Sequence, residues 1–295
     1  MSMDSYEALV HRGFGPEGPD THDPGVLAWL IRRNGLEMSH LSRGSHIGSV
    51  FSVAEIIAVL YTSVLRKDPS RPDWPERDRL ILSKGHAGSA VYAALAESGF
   101  FPVEKLKTHY ANGSVLSGHV SHKGVPGVEV STGSLGHGLG IGAGMALGAK
   151  MDGLDWRTYV VLGDGECDEG SVWEAALQSA QFRLDRLIAV VDYNHMQSLG
   201  AVNETLKLEP FEQKWKDFGW NAVSVDGHCI PALQEAFEWA KAQAGSGRPS
   251  VILANTVKGK GVSFMENQAG WHGKAPNDDE YKQALEELER IGAAL

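Results

Sequence analysis

The stretch "YVVLGDGECDEGSVWEAALQSAQFRLDRLIAVVDYN", residues 159–194, decides how the rest of the chain is read. An apolar run over 159–162 stops at Gly163-Asp164-Gly165. Helical patterning follows over 171–181, and a second apolar run over 187–192 stops at Asp192-Tyr193-Asn194. Two strands joined by a helix in so short a span make a βαβ unit. A parallel pair covered on both faces also explains why neither run alternates with polar residues.

The same alternation extends outward. Upstream, "DPGVLAWLIRRNGLEMSHL" begins regular helical patterning, and Ser52 with Glu55 predicts a capping box opening a helix over 52–65. "RDRLILS" predicts a short buried strand, and "HAGSAVYAALAESG" a helix closed by Gly99. A Gly/His-rich loop, 111–135, leads to a small-residue helix, "HGLGIGAGMALGAKM". Downstream, "FEQKWKDFG" predicts a helix, "NAVSV" a strand, "IPALQEAFEWAKAQA" a helix and "PSVILANTV" a strand. A glycine-rich loop, 258–275, precedes a last helix near 278–292. The expected fold is α/β, a parallel sheet with helices on both faces. One domain is expected over 26–295, with 1–25, rich in Gly, Pro and Asp, loosely ordered at the surface.

Composition narrows the function classes. At 295 residues with 42% hydrophobic and 22% charged side chains, the chain reads as an ordinary globular domain. A formal charge of −10 argues against nucleic acid or an anionic membrane as partner. It still allows a phosphate-bearing ligand, because local lysines and helix N-termini bind anions on acidic proteins. Two cysteines, Cys167 and Cys229, supply no disulfide framework and suggest a reducing compartment. The N-terminus has no signal-peptide pattern, and the apolar "FSVAEIIAVLYTSVL" is too short to span a membrane, so a cytoplasmic location is expected.

Ligands of open α/β sheets bind beyond the carboxyl ends of the strands, where Asp164 and Asn194 both fall. Mg²⁺ takes oxygen ligands, commonly one or two protein groups plus phosphate oxygens. A carboxylate, a side-chain amide and a nearby backbone carbonyl suit it, and Gly163 and Gly165 would let a diphosphate approach the backbone. Alone, Gly-Asp-Gly is an ordinary turn; the second strand ending in Asn shifts the balance toward the ion reading. Two other patterns compete. Gly138-Leu-Gly140-Ile-Gly142-Ala143 matches a weak dinucleotide fingerprint, but Asp164 inside Gly-Asp-Gly is not what a ribose-binding acid needs. His119-x-x-His122 has no further ligands at zinc spacing.

The stretch from Gly-Asp-Gly to Asn194 resembles the thiamine diphosphate signature, and the wider chain resembles the N-terminal, diphosphate-binding part of transketolases. "LSKGHAGSAVYAAL" (82–95), "GVEVSTGSLGHGLGIGAGMALGAK" (127–150), "VKGKGVSF" (257–264) and "WHGKAP" (271–276) occur in family order, so the resemblance covers roughly 26–285. It implies thiamine diphosphate with Mg²⁺, or another divalent cation such as Ca²⁺ or Mn²⁺. Asp164, Asn194 and the carbonyl of Met196 would hold the metal. Gly165 and His86 would contact the diphosphate, and Gly133 and Leu135 would lie against the aminopyrimidine and thiazolium. Lys258 and His272 would approach the diphosphate and the reacting carbon, with Lys84 nearby. His46 and His119 match substrate-facing histidines that move protons, and Glu169 an acid at the contact between two active sites.

No segment resembles the family's pyrimidine-binding and C-terminal domains. The resemblance therefore implies a split enzyme: this chain and a separate C-terminal transketolase subunit form an α2β2 assembly, inactive without that partner. The implied activity is two-carbon ketol transfer between sugars or sugar phosphates. The alternatives are part of a deoxyxylulose-phosphate synthase-like enzyme, the α-type chain of a 2-oxo acid dehydrogenase, and a non-catalytic remnant. "SKGHA" and "WHGK" speak for a sugar and against the dehydrogenase. Departures cluster near the expected pocket: "SHIGS" lacks the usual His-Pro-Gly, His137 replaces a frequent Gln, and Ser198-Leu199 replace an apolar residue and Asp. The substrate is therefore open to being branched, modified or unphosphorylated.

Overall fold

The computed structural model describes residues 19–198 and 200–295. Of the segment expected to be loose, 1–18 lies outside the described residues, and its end is already structured: helix α1 (Pro24–Ser42) begins where Asp23 accepts the N–H groups of Gly25 and Val26. Proline at the first position suits a helix start, where an N–H has no partner.

Among the described residues five parallel strands form one sheet: β1 (Arg79–Leu82), β2 (Thr158–Gly163), β3 (Leu187–Tyr193), β4 (Asn221–Asp226) and β5 (Ser250–Asn255). Their order is β1-β2-β3-β5-β4. The central strands alternate between two cores. Tyr159 and Val161 of β2, with Ile188 and Val190 of β3, face one apolar layer. Val160, Leu162, Ala189 and Val191 face the other. Helices α4 (Gly88–Glu97), α9 (Ile230–Ala242) and α10 (Asp278–Gly292) join α1 on the first face. Helices α5 (Gly138–Met151), α6 (Gly170–Gln181), the short α7 (Val202–Thr205) and α8 (Phe211–Asp217) cover the second. Edge strand β4 is only partly buried.

Glycine at 142 lets α5 lie on the sheet, since a Cβ there would sit 2.4 Å from Val160 Cγ2. At Gly138 a Cβ would collide with Ser83. Close packing thus accounts for Gly138 and Gly142, two of the three glycines that imitated a dinucleotide fingerprint.

One expectation is corrected. The capping box of Ser52 and Glu55 does not form, and 52–65 is not a single helix. A short α2 (Ile47–Ser52) leads into α3 (Ala54–Val59) and a π-helical turn at Leu60–Val64. Ser52 Oγ instead donates to Asp192 Oδ2 at 2.5 Å. Glu55 pairs with Arg32 at 2.6 Å and His228 at 2.9 Å. Buried long-range partners outweigh a local cap. A capping box does form at α10, between Asn277 and Glu280. Elsewhere the expected elements are present with ends shifted by a residue or a few; Gly99 closes α4 at φ +84°. Among the described residues no helix is long and apolar enough to cross a membrane.

Candidate functional site

Strands β2 and β3 pair so that Gly163 lies opposite Asp192. Their carboxyl ends open into a cavity of about 150 Å³, whose walls include Asp164, Gly165, Asn194, Met196, Lys258 and His272. His86, Leu135, Lys84 and Ser49 complete much of the lining. Segments scattered over the chain therefore meet at one place.

The oxygen groups are buried and oriented. Asp164 accepts from the Gly165 N–H at 2.8 Å and the His195 N–H at 2.6 Å. Burial, followed by the nearby charge of Asp192, pushes the Asp164 carboxyl up to about 7. Asn194 turns its Nδ2 toward Asp192 and Ser52, each at 3.4 Å, and its Oδ1 accepts the Met196 N–H at 3.1 Å. The Met196 carbonyl accepts from Lys258 Nζ at 3.3 Å. Asp164, Asn194 and Met196 thus supply three oxygen donors of the kind Mg²⁺ takes. Among the described residues no group of three His, Cys, Asp or Glu is arranged to hold a metal. A cation here would depend on amide and carbonyl oxygens and on oxygens of a ligand.

Two lysines are 1% exposed. Lys84 forms an ion pair with Asp192, which Ser52 and Thr256 also hydrogen-bond. Lys258 reaches only neutral acceptors, the Met196 carbonyl and His272 Nδ1 at 3.0 Å, with no carboxylate in ion-pair range among the described residues. Burial, then the charge of Lys84, lowers Lys258 to about 8. A buried ammonium without a counter-ion is costly, and an anionic ligand in the cavity is what would offset it.

Imidazoles converge beside the lysines. His46 lies 5.1 Å from His86, 5.6 Å from His119 and 4.9 Å from His272, measured between ring centroids. His86 and His272 are 5.3 Å apart. His46 has φ +76°, strained for a residue with a side chain, and its N–H donates to the His272 carbonyl at 2.9 Å. Its buried Nδ1 has no partner among the described residues. Burial and nearby positive charge bring His46 down to about 4 and His272 to about 3, and hold His86 well below its ordinary value. Near neutral pH these rings are uncharged, so each can donate through one nitrogen and accept through the other.

Gly133 lies against the exposed His119, where a Cβ would sit 3.4 Å from His119 Cδ2. Glu169 stands exposed at the start of α6, outside the cavity. His122 is not turned toward a metal; its Nδ1 meets Ser131 Oγ at 2.8 Å. His137 is exposed with Nδ1 3.0 Å from the Leu135 carbonyl. Ser198 lines the cavity, whereas Leu199 falls outside the described residues. Sequence reading missed Asp192 and Glu166, both buried carboxylates. The only local clue was that each lies within two residues of a suspected ligand.

Comparison with known proteins matches the family described as "Transketolase, thiamine diphosphate binding domain" over residues 27–290. The 6-deoxy-6-sulfo-D-fructose transketolase subunit SqwG of Clostridium sp. (strain MSTE9) is 46% identical over 90% of this chain and 95% of its own length. One of the subunits of the apulose-4-phosphate transketolase of Phocaeicola vulgatus is 40% identical over 88% of this chain and 92% of its own. Among solved structures, a transketolase from Pichia stipitis superposes with a TM-score of 0.83 at 30% identity, covering 88% of this chain. The chain spans 40% of that transketolase's length.

Proposed function

From the premise that this chain belongs to the transketolase family, as its thiamine diphosphate-binding domain, we propose that it is the cofactor-holding subunit of a two-chain transketolase. The observation that carries this reading is the convergence of Asp164, Asn194, Met196, Lys258, His86 and His272 on one cavity at the ends of β2 and β3, with His46 packed against both histidines.

In this reading Asp164, Asn194 and the Met196 carbonyl hold Mg²⁺. Gly165, His86 and Lys258 hold the diphosphate, with the buried Lys258 ammonium as its counter-ion. Gly133 and Leu135 flank the rings of the cofactor. Thiamine diphosphate, when bound, supplies the carbanion-stabilising chemistry of ketol transfer. His46, His119 and His272 bind sugar hydroxyls and move protons, and the neutral state of His46 and His272 suits them to do both.

The partner is a separate polypeptide with the pyrimidine-binding and C-terminal domains, in an α2β2 assembly, with exposed Glu169 at the contact between sites. Residues 26–295 act as one domain, and the cytoplasm is the proposed compartment. The names of the two relatives above specify a sulfo sugar and a sugar phosphate, which favours a sugar carrying a strongly acidic group as substrate.

The test is calorimetric titration of thiamine diphosphate with Mg²⁺ into the chain alone and with its partner. Ketol transfer is followed in parallel from phosphorylated, sulfonated and unmodified ketoses. Metal-dependent binding, with turnover only in the mixture, is expected. Absence of metal-dependent binding in both would refute the site.

A further inference from the structure

We infer that Glu166 is a positioning residue, a buried carboxylate that fastens three cofactor-facing segments into one cradle. The inference builds on the proposed cofactor site. Glu166 is 2% exposed and forms part of the cavity wall. Its Oε1 accepts from Ser83 Oγ and from the Gly136 N–H at 2.9 Å. Its Oε2 accepts the Gly163 N–H at 3.0 Å. Ser83 Oγ in turn accepts the Gly138 N–H at 3.1 Å, which commits its own proton to Glu166.

These donors come from the end of β1, the loop entering α5 and the end of β2. Each segment continues into the site: Ser83 into Lys84 and His86, Gly136 from Leu135, and Gly163 into Asp164. Gly136 has φ +84°. A side chain there would strike Glu169 and Ser171, so this loop is held by the carboxylate rather than by a side chain of its own.

A carboxylate is the fitting group because it only accepts, and three donors converge on it. Glutamine keeps the shape but offers one acceptor oxygen. Whichever way its amide is turned, an NH2 faces a buried N–H. The segments concerned carry cofactor groups, so their loosening should appear as weaker cofactor binding rather than as instability alone.

The experiment compares Glu166→Gln and Ser83→Ala with the wild-type chain, in complex with its partner and alone. Mg²⁺–thiamine diphosphate affinity, the cofactor KM against kcat, melting temperature and amide hydrogen exchange across 132–138 are read together. Glu166→Gln should bind the cofactor about tenfold more weakly or worse, the expected scale for leaving a buried donor unpaired. Its cofactor KM should rise by more than kcat falls, and 132–138 should exchange faster even without cofactor. If Glu166→Gln fails to fold, Ser83→Ala carries the test, since it removes one of the three donors to the carboxylate, together with the acceptor of the Gly138 N–H, and leaves the carboxylate in place. A folded Glu166→Gln with wild-type cofactor affinity overturns the inference, as does unchanged exchange in both variants. Failure of the underlying site would show differently, as no cofactor binding by the wild type, and the exchange comparison would still decide whether Glu166 fastens the loop.

Discussion

Replacing Lys258 with Met should stabilise the cofactor-free chain while weakening its hold on the cofactor. Lys258 is 1% exposed, and among the described residues its ammonium meets only the Met196 carbonyl and His272 Nδ1. Its displacement from 10.5 to about 8, burial being the main cause, measures what the cavity costs the charge. At about 1.4 kcal/mol per pH unit that is about 3 kcal/mol. Methionine fills similar space without charge, but it leaves the Met196 carbonyl and His272 Nδ1 short of a donor, which together take back about 1 kcal/mol. A net gain of about 2 kcal/mol remains. For 295 residues the unfolding entropy near the melting point is about 0.6 kcal/mol/K, so the gain corresponds to about 3 °C. Scanning calorimetry at neutral pH, without cofactor or metal, reads this directly. The same variant should lose the upward shift in melting temperature that Mg²⁺–thiamine diphosphate gives the wild type. A Lys258→Met chain that melts below the wild type in the absence of cofactor would refute the reasoning, because it would mean the ammonium already has a counter-charge.

Three further outcomes are expected. Asp192→Asn removes the carboxylate paired with buried Lys84 and should cost about 3–5 kcal/mol, read as a fall in the urea midpoint; an unchanged midpoint would show the pair is dispensable. Burial alone would raise Glu55, but Arg32 and then His228 hold it down to about 2, below its ordinary 4.5. The stability it contributes is therefore present above pH 4.5 and is lost as pH falls toward 2. Glu55→Gln should flatten that limb of the stability curve, by about 2 kcal/mol, in denaturation series run from about pH 3 to about pH 6. On α5, Gly142→Ala places a Cβ 2.4 Å from Val160 Cγ2 and should destabilise by about 1–3 kcal/mol. Gly144→Ala on the same helix meets nothing within 4 Å and should stabilise the isolated chain by about 0.5–1 kcal/mol; equal melting shifts for the two would contradict the packing argument.

The parallel sheet was legible because its strands are buried on both faces. Runs such as 187–192 leave no helical or alternating interpretation, and short oxygen-bearing residues mark where they stop. The convergence of Asp164, Asn194, Lys258 and His272 followed from motif order and from the rule that sheet ligands bind beyond strand ends. What sequence concealed depends on partners distant along the chain. Ser52 and Glu55 have capping-box spacing, yet Asp192 lies 140 residues from Ser52 and His228 lies 173 from Glu55. No local pattern encodes those choices. Nothing local marked Glu166, because its donors lie on three separate segments. The strained His46 was also hidden, since nothing about His-Ile-Gly requires a left-handed backbone until the His272 carbonyl is seen to accept its N–H.

Helix α1 is sealed from the far end of the chain. Trp29 Nε1 donates to the Leu288 carbonyl at 2.9 Å across 259 residues, Arg33 pairs with Glu289 at 2.9 Å, and Gly292 lies flush against the Trp29 ring. This sets a timetable during synthesis. At about 5–20 residues per second, the ribosome needs about 13 to 50 s to make α10 after α1 has emerged. Through that interval Trp29 lacks the surface that finally covers it, so the first helix among the described residues is among the last to be completed. Nascent chains stalled short of residue 288 should be the ones that holdase chaperones retain.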